Sequence, residues 1–434
     1  MTITATDLFC GAGGSSLGAS NAGVTVQMAA NHWPKAIEVH QKNFPDTRHD
    51  CADVSQVDFR RYPASDILMA SPECTNHSAS RGVSRRQQNP GLWDAPDPAA
   101  EKSRATMWDV HRYIEVHHPS VAVIENVVEA RSWIYWSSWW QAFADAGYTA
   151  QTLSINSMHV PAGLLGDKVP QSRDRLYVVA TRRGINLDLE MRPWAYCETC
   201  NAQTRARQQF KSSSRPFGRY KQSWNWLCGM CSSLIELQVA PASQAIDWSI
   251  PSQRIGERSK PLAGATLMRI RNGLTHYGIQ ADNDVLFQAP TTNSSVSTPS
   301  NRPDAFYLRN FGNGSREAGN MLHPTSKPFG AMTAHDHTSL VVPYYRTGRA
   351  LPVTQPIGTL TTHDRYGLAT GVTLDDCTFR MLEPHEVGKA MGFPDSYHVE
   401  GTKKDRVRLY GNAVTPPVAE FLLGRVVDAL SVAA

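Results

Sequence analysis

A glycine-dense turn close to the N-terminus constrains this chain most. Asp7-Leu8-Phe9-Cys10-Gly11-Ala12-Gly13-Gly14-Ser15-Ser16-Leu17-Gly18 follows a short apolar strand and opens a helix. Closely spaced glycines let the backbone turn tightly and lie against a ligand, and the helix N-terminus offers free N–H groups to an anion. Such turns serve nucleotides, flavins or structure alone, so the loop points to an α/β fold before it points to a reaction. Cys10 within it reads as a small packing residue.

The text that follows supports an α/β fold. Short apolar strands are predicted at Ile3–Phe9, Val24–Ala30, Ile67–Ala70, Val121–Ile124 and Leu176–Ala180, with helices between them, for example Pro34–Asn43 and Ala105–His117. That alternation is the pattern of a parallel sheet covered by helices. From residue 183 to 376 the texture changes to aromatic, Ser/Thr and Pro/Gly residues with weak periodicity, and a second, loop-rich domain is expected. It carries an internal echo, Lys327-Pro328-Phe329-Gly330 through Asp336 against Gln355-Pro356-Ile357-Gly358 through Asp364, with a fainter copy at Lys260-Pro261-Leu262. The spacing suits a repeated hairpin. The histidines of His335-Asp336-His337 and Thr362-His363-Asp364 lie in this echo and read as turn hydrogen-bonders. Helical patterning returns at Glu383–Met391 and Pro417–Leu430, so residues 377–434 are expected to pack back on the domain of residues 1–182.

Composition bounds the rest. With 41% hydrophobic and 19% charged residues the chain reads as a globular enzyme. A net charge of only +4 means that any polyanion must be met by local clusters. Eight cysteines, of which only two CxxC pairs are regularly spaced, fit a reducing compartment better than a disulfide framework. No signal peptide or membrane span is legible, and a cytoplasmic, monomeric protein is expected.

Ala70-Ser71-Pro72-Glu73-Cys74-Thr75-Asn76-His77-Ser78 ends a strand in a Pro-stiffened turn, where α/β folds expose functional side chains. A second strand ends in Glu125-Asn126-Val127. Carbon 5 of cytosine is not nucleophilic until a thiolate adds to carbon 6 and ring nitrogen 3 is protonated or strongly hydrogen-bonded. A cysteine and a carboxyl group at neighbouring strand ends are the parts that this reaction needs. Asp53, at another strand end, is placed to accept from an adenine amino group or to cap a turn.

These residues, in this order, resemble the DNA (cytosine-5) methyltransferase family of the phage or bacterial type, over roughly the first 180 and last 55 residues. Asp7–Gly18 resembles its cofactor loop, Cys74 with Ser78 its catalytic Pro-Cys loop, and Glu125-Asn126-Val127 its Glu-Asn-Val motif. Gln171-Ser172-Arg173-Asp174-Arg175 matches Gln-x-Arg-x-Arg. Arg380-Met381-Leu382 with Gly392-Phe393-Pro394-Asp395, and Tyr410-Gly411-Asn412-Ala413-Val414-Thr415-Pro416-Pro417, match the closing motifs. The chain departs from the family pattern at Glu73, where Pro is usual, at Thr75, where Gln is usual, and at His32, where an acid usually meets the cofactor ribose.

The resemblance implies a Rossmann-like S-adenosylmethionine-dependent domain with an inserted target recognition domain acting on double-stranded DNA. It implies catalytic roles for Cys74, Glu125 and Arg175, the last on the flipped cytosine, with Arg173 supporting the catalytic loop or a phosphate. Cofactor contacts are implied at Asp7, Phe9, Gly11, Gly13, Gly14, His32, Trp33, Asp53, Asn412 and Val414. The polar stretch from Ser78 to Lys102, with Arg81, Arg85 and Arg86, suits a loop closing over a flipped base.

Cys197-Glu198-Thr199-Cys200 and Cys228-Gly229-Met230-Cys231 form two CxxC knuckles whose four thiolates suit a structural zinc ion. Between them lie Arg205, Arg207, Lys211, Arg215, Arg219 and Lys221, with Phe210, Phe217, Tyr220 and Trp224. That mixture suits binding to a DNA backbone. Two competing functions stay open from sequence: the same chemistry on RNA, and a methylase-like DNA-binding protein without catalysis.

Overall fold

In the computed structural model, the described residues are 2–72, 106–271 without 165, 167, 265 and 269, and 375–433 without 376. Strand backbone is also described at 306–309, 329–330, 349–352 and 367–370. Cys74, the Ser78–Lys102 stretch and the histidines of the internal echo lie outside the described residues.

A seven-stranded sheet forms the centre, built from β1 (Thr4–Leu8), β2 (Thr25–Ala30), β3 (Arg48–Asp50), β4 (Ile67–Ala70), β5 (Val121–Asn126), β6 (Tyr148–Asn156) and β8 (Asp174–Arg182). The order is β3-β2-β1-β4-β5-β8-β6. β1 to β5 are parallel, whereas β8 runs antiparallel to both neighbours. The expected all-parallel sheet is therefore mixed. Sequence reading also missed β6, the edge strand. Its text, Tyr-Thr-Ala-Gln-Thr-Leu-Ser-Ile-Asn, alternates burial and exposure in its first half and lacks a continuous apolar run.

Strand periodicity divides the core into two layers. Leu68, Ala70, Ala122, Ile124, Leu176 and Val178 point to one face, under α3 (Asp109–His117) and α4 (Trp136–Asp145) with Tyr113, Trp139 and Phe143. Ile67, Met69, Val121, Val123, Tyr177 and Val179 point to the other face, in a cluster with Ala19, Leu422, Leu423 and Val426. Those partners come from α1 (Gly14–Asn21) and α7 (Pro416–Ala433), so the C-terminal helix packs against the first helix of the chain. A Cβ on Gly18 would lie 2.5 Å from the Ala419 Cβ, so only glycine permits this approach. α2 (Pro34–Asn43) buries Ala36 and Val39 in a cluster that includes residues of α5 (Pro384–Ala390) and α6 (Lys403–Asn412). A buried Arg380–Glu386 ion pair, 2.7 Å long, secures the start of that return.

Among the described residues, the inserted region holds one four-stranded sheet and contributes most of another. The first has the order β12-β11-β10-β9, from β9 (Trp194–Cys197), β10 (Ala202–Phe210), β11 (Trp224–Cys228) and β12 (Leu234–Ile235). The other joins Gln253–Arg254, Phe306–Arg309, Arg349–Pro352, Gly367–Thr370 and Thr378–Met381. The last of these lies beyond the boundary expected at residue 376, so the inserted sheet borrows a strand from the returning segment. Of the echo, only Phe329–Gly330 forms described structure, pairing in parallel with β7 (Gln171–Ser172). Lys260-Pro261-Leu262 forms no strand.

Candidate active site and four-cysteine centre

The order of strands reverses between β1 and β4, the switch point where open α/β sheets bind ligands beyond their strand ends. The glycine turn lies there. Phe9, Gly11 and Gly13 all take positive φ, 63°, 53° and 85°. Gly13 N donates to the Cys10 carbonyl at 2.8 Å, and Cys10 N to that of Ala30 at 3.1 Å. A Cβ on Gly11 would meet nothing nearer than 3.9 Å, so the turn is open on that side, as a ligand cradle requires. Gly14 is different: a Cβ there would lie 2.0 Å from the Val414 carbonyl oxygen. Val414 thus meets the loop through its backbone, while Asn412 stands exposed at the end of α6.

Asp7 is wholly buried beneath this turn, where Oδ2 accepts from Ser15 Oγ at 2.5 Å and Ser16 Oγ at 2.7 Å. Its Oδ1 is buried without a hydrogen-bond partner. Burial pushes its pKa up to about 6 against the two hydroxyl bonds. Ser16 Oγ continues to His40 Nε2 at 2.9 Å, and His40 Nδ1 to the half-buried His49 Nε2 at 2.7 Å, a polar chain that sequence reading missed. His32 is exposed after β2. Trp33 is half-buried, with the Arg408 guanidinium 4.2 Å above its ring, a contact from the far end of the chain. Asp53 caps a 3-10 turn by accepting from Ser55 N at 3.3 Å.

At the ends of β4 and β5 the second half of the site assembles. Arg175 Nε lies 2.8 Å from Glu125 Oε1, an ion pair without hydrogen-bond alignment, both side chains nearly enclosed. Antiparallel pairing of β5 with β8 sets Glu125 opposite Tyr177, so Arg175 reaches it from one residue pair along the same face. Asn126 Nδ2 donates to the Pro72 carbonyl at 3.4 Å, and its Oδ1 accepts from Val127 N at 2.8 Å. It thereby ties the turn that leads to Cys74 to the strand that carries Glu125. Asn126 was legible only as part of its motif.

Arg173 is 3% exposed and donates to the Gly411 carbonyl at 3.3 Å and the Ala413 carbonyl at 3.0 Å. Two of its donors are thereby taken up by the closing motif. Its work is to hold the closing motif against the sheet.

The two knuckles converge. Cys197, Cys200, Cys228 and Cys231 place their sulfurs all within 4.8 Å of one another. Cys197 Sγ lies 3.6 Å from Cys231 Sγ, and Cys200 Sγ 3.9 Å from Cys228 Sγ. A disulfide needs about 2.05 Å. A tetrahedral ion with ligand bonds of about 2.3 Å sets sulfurs about 3.8 Å apart. Backbone N–H groups point at the sulfurs too: Cys200 N at Cys197 Sγ (3.4 Å), Met230 N at Cys228 Sγ (3.3 Å) and Cys231 N at Cys228 Sγ (3.4 Å). At Cys228 the Cys231 and Met230 N–H groups lower the pKa and favour the thiolate.

The segment between the knuckles departs from expectation. Trp224 and Trp226 are fully buried, in one cluster with Ile155, Tyr177 and Val179 of the central sheet. The imidazole of His159 packs on Tyr220, Trp224 and Trp226 with ring centroids 4.3, 5.9 and 5.7 Å away. Gln208 Nε2 donates to the Ser154 carbonyl at 2.8 Å. These contacts cover the end of β6 around Ser154 and Ile155, where the strand is buried. Tyr220 and Trp224 are thus docking residues, whereas Lys211 and Arg215 stay on the surface with Arg205, which lies over Trp194 at 4.2 Å.

No helix among the described residues is long and apolar enough to cross a membrane. The chain is 23% identical to the type II methylase M.HgiEI of Herpetosiphon aurantiacus over 453 residues, covering 95% of this chain and 94% of that one. It is 28% identical over 190 residues to the type II methyltransferase M.HhaI of Haemophilus parahaemolyticus, covering 42% and 50%. The crystal structure of S. pombe Dnmt2 methyltransferase shares the fold, with a TM-score of 0.51, 14% identity and 99% of each chain covered. The family model of the C-5 cytosine-specific DNA methylases matches residues 3–428, nearly the whole chain, which therefore belongs to that family.

Proposed function

We propose that this methylase takes a cytosine turned out of double-stranded DNA, with Cys74 as the nucleophile at carbon 6 and Glu125 with Arg175 at the opposite edge of the ring. Methylation of cytosine carbon 5 in DNA, dependent on S-adenosylmethionine, comes with the family. Bound in the site, that cofactor supplies an electrophilic methyl group. The open turn at Gly11, with Phe9, Gly13, Trp33 and Asp53 around the same strand ends, is the set of residues that would hold it. Asp7 and Gly14 would act from behind, one supporting the helix start and the other admitting Val414.

The Arg175–Glu125 contact at 2.8 Å carries this reading. A carboxyl group oriented by a guanidinium presents its other oxygen toward a ring nitrogen, and the guanidinium keeps donors for the cytosine carbonyl. Thiolate addition to carbon 6 forms a sulfur–carbon bond and leaves carbon 5 electron-rich. After methyl transfer, loss of the carbon 5 proton expels the thiolate and restores the aromatic ring.

A duplex carrying 5-fluorocytosine at the target tests the scheme, since fluorine does not leave as a proton. The wild-type chain should accumulate a covalent complex that Cys74→Ala does not form. A labelled-methyl assay on duplex DNA and on RNA fixes the substrate, and equal transfer to RNA would overturn the choice of duplex DNA. For the four cysteines, a structural zinc ion is the occupant that their spacing and N–H donors favour. An all-cysteine set leaves no open position for catalysis.

A further inference from the structure

We infer that the tip of the cysteine module, Phe217–Tyr220, is a positioning element for the Glu125–Arg175 pair. The inference rests on the catalytic reading of that pair. The tip touches both chain segments that supply it. Arg219 forms an ion pair with Glu129, in the 3-10 turn Val128–Ser132 that follows Glu125-Asn126-Val127. Phe217 packs on the guanidinium of Arg131, 5.3 Å from its ring centroid, and the same guanidinium lies 4.9 Å from the Trp136 centroid. Tyr220 N donates to Asp174 Oδ1 at 3.0 Å, and Asp174 stands between Arg173 and Arg175.

The tip is held in place from its own side. Gly218 N donates to Ser154 Oγ at 2.9 Å, and the Gly218 carbonyl accepts from Trp224 Nε1 at 3.1 Å. Gly218 has φ +139°, and a Cβ there would lie 2.0 Å from Ser223 Oγ, so the turn admits only glycine. Behind it, β10 and β11 pair from Ala206↔Cys228 at the cysteine end to Phe210↔Trp224 near the tip. The hairpin is thus a short arm, gripped by four sulfurs at one end and clamped across two catalytic segments at the other. β5 and β8 already fix the pair's backbones, but the turn after β5 and the start of β8 are strand ends, which fray unless tied. A shift of about 1 Å at such a site is worth up to about a hundredfold in rate.

Arg219→Ala, in the full-length metal-loaded chain, should lower kcat about tenfold while KM for S-adenosylmethionine, DNA affinity and metal content stay within about twofold of wild type. The charge-exchanged double variant, Glu129→Arg with Arg219→Glu, should recover most of the lost rate, which no general loss of stability would allow. Glu125→Gln is measured alongside. If it is slow but Arg219→Ala turns over normally, or Arg219→Ala loses DNA affinity instead of kcat, the positioning role falls and the catalytic reading stands. Failure of the charge exchange to restore rate likewise overturns the role. If Glu125→Gln is itself near wild type, the catalytic reading falls and the inference falls with it.

Discussion

Arg175 Nε and Glu125 Oε1 stand 2.8 Å apart across two antiparallel strands, and Arg175 Nη1 also donates to the Asp174 carbonyl at 3.0 Å. Removing either partner leaves the other nearly enclosed without its counter-charge, so the neutral isostere Glu125→Gln is the cleaner probe of chemistry. Glu125→Gln is expected to slow methyl transfer by about two to four orders of magnitude, the range for a lost proton donor, with DNA still bound. Single-turnover rates and DNA affinities measured together check this. A rate within a few-fold of wild type shows that Glu125 is not the group at ring nitrogen 3.

Gly14 meets Val414 so closely that a Cβ would sit 2.0 Å from the carbonyl oxygen. Backbone is at fault here, not a flexible side chain, so the clash is not relieved by a rotamer change. Gly14→Ala should cost about 1–3 kcal/mol, the usual range for overpacking, and should separate α1 from the closing motif. Urea unfolding reads the loss, and an unchanged midpoint would mean that the two segments do not press together.

One metal ion per chain is expected at Cys197, Cys200, Cys228 and Cys231. Cys197→Ser should lower metal content and loosen β9–β12, and because β10 and β11 pack on the end of β6, the unfolding temperature of the catalytic domain should fall as well. Elemental analysis of unstripped protein is the decisive measurement. Absence of stoichiometric metal, or a disulfide in either pair, overturns the assignment.

His159 supplies a pH test. Loss of solvent, with repulsion from Lys221 and Lys168, lowers its pKa to about 3. An unfolded histidine titrates near 6.5, so between about 6.5 and 3 the unfolded chain binds a proton that the folded chain refuses. Stability is therefore held above about pH 6.5 and lost as pH falls through that window. His40 and His111, lowered by burial to about 3 and about 4, steepen the same limb. His159→Phe should flatten it by about 1.4 kcal/mol per pH unit. Equal slopes for wild type and variant, from denaturant titrations between pH 7.5 and 5, would show that the ring protonates freely in the folded state.

Local pattern determined much of this protein. Ile67–Ala70 and Pro34–Asn43 form as read from periodicity, because a run of apolar residues or a proline-led amphipathic stretch carries its own conformational preference. The cysteine spacing brought four sulfurs together, and Glu125 and Arg175 were legible through their motifs. Tertiary structure decided what depends on partners far away in the chain. The reversal of β8, the place of β6 at the sheet edge and the borrowed strand Thr378–Met381 depend on which strands pair, and pairing leaves no local signature. Arg173 read as a support for the catalytic loop or a phosphate, and its bonds to the Gly411 and Ala413 carbonyls became visible only in the folded chain. Tyr220 and Trp224 read as DNA-facing aromatics, since a basic, aromatic stretch looks the same whether it meets phosphates or a neighbouring sheet. Their burial against His159 and the central-sheet cluster needed the apolar face of that sheet to be present, and only the folded chain supplies it.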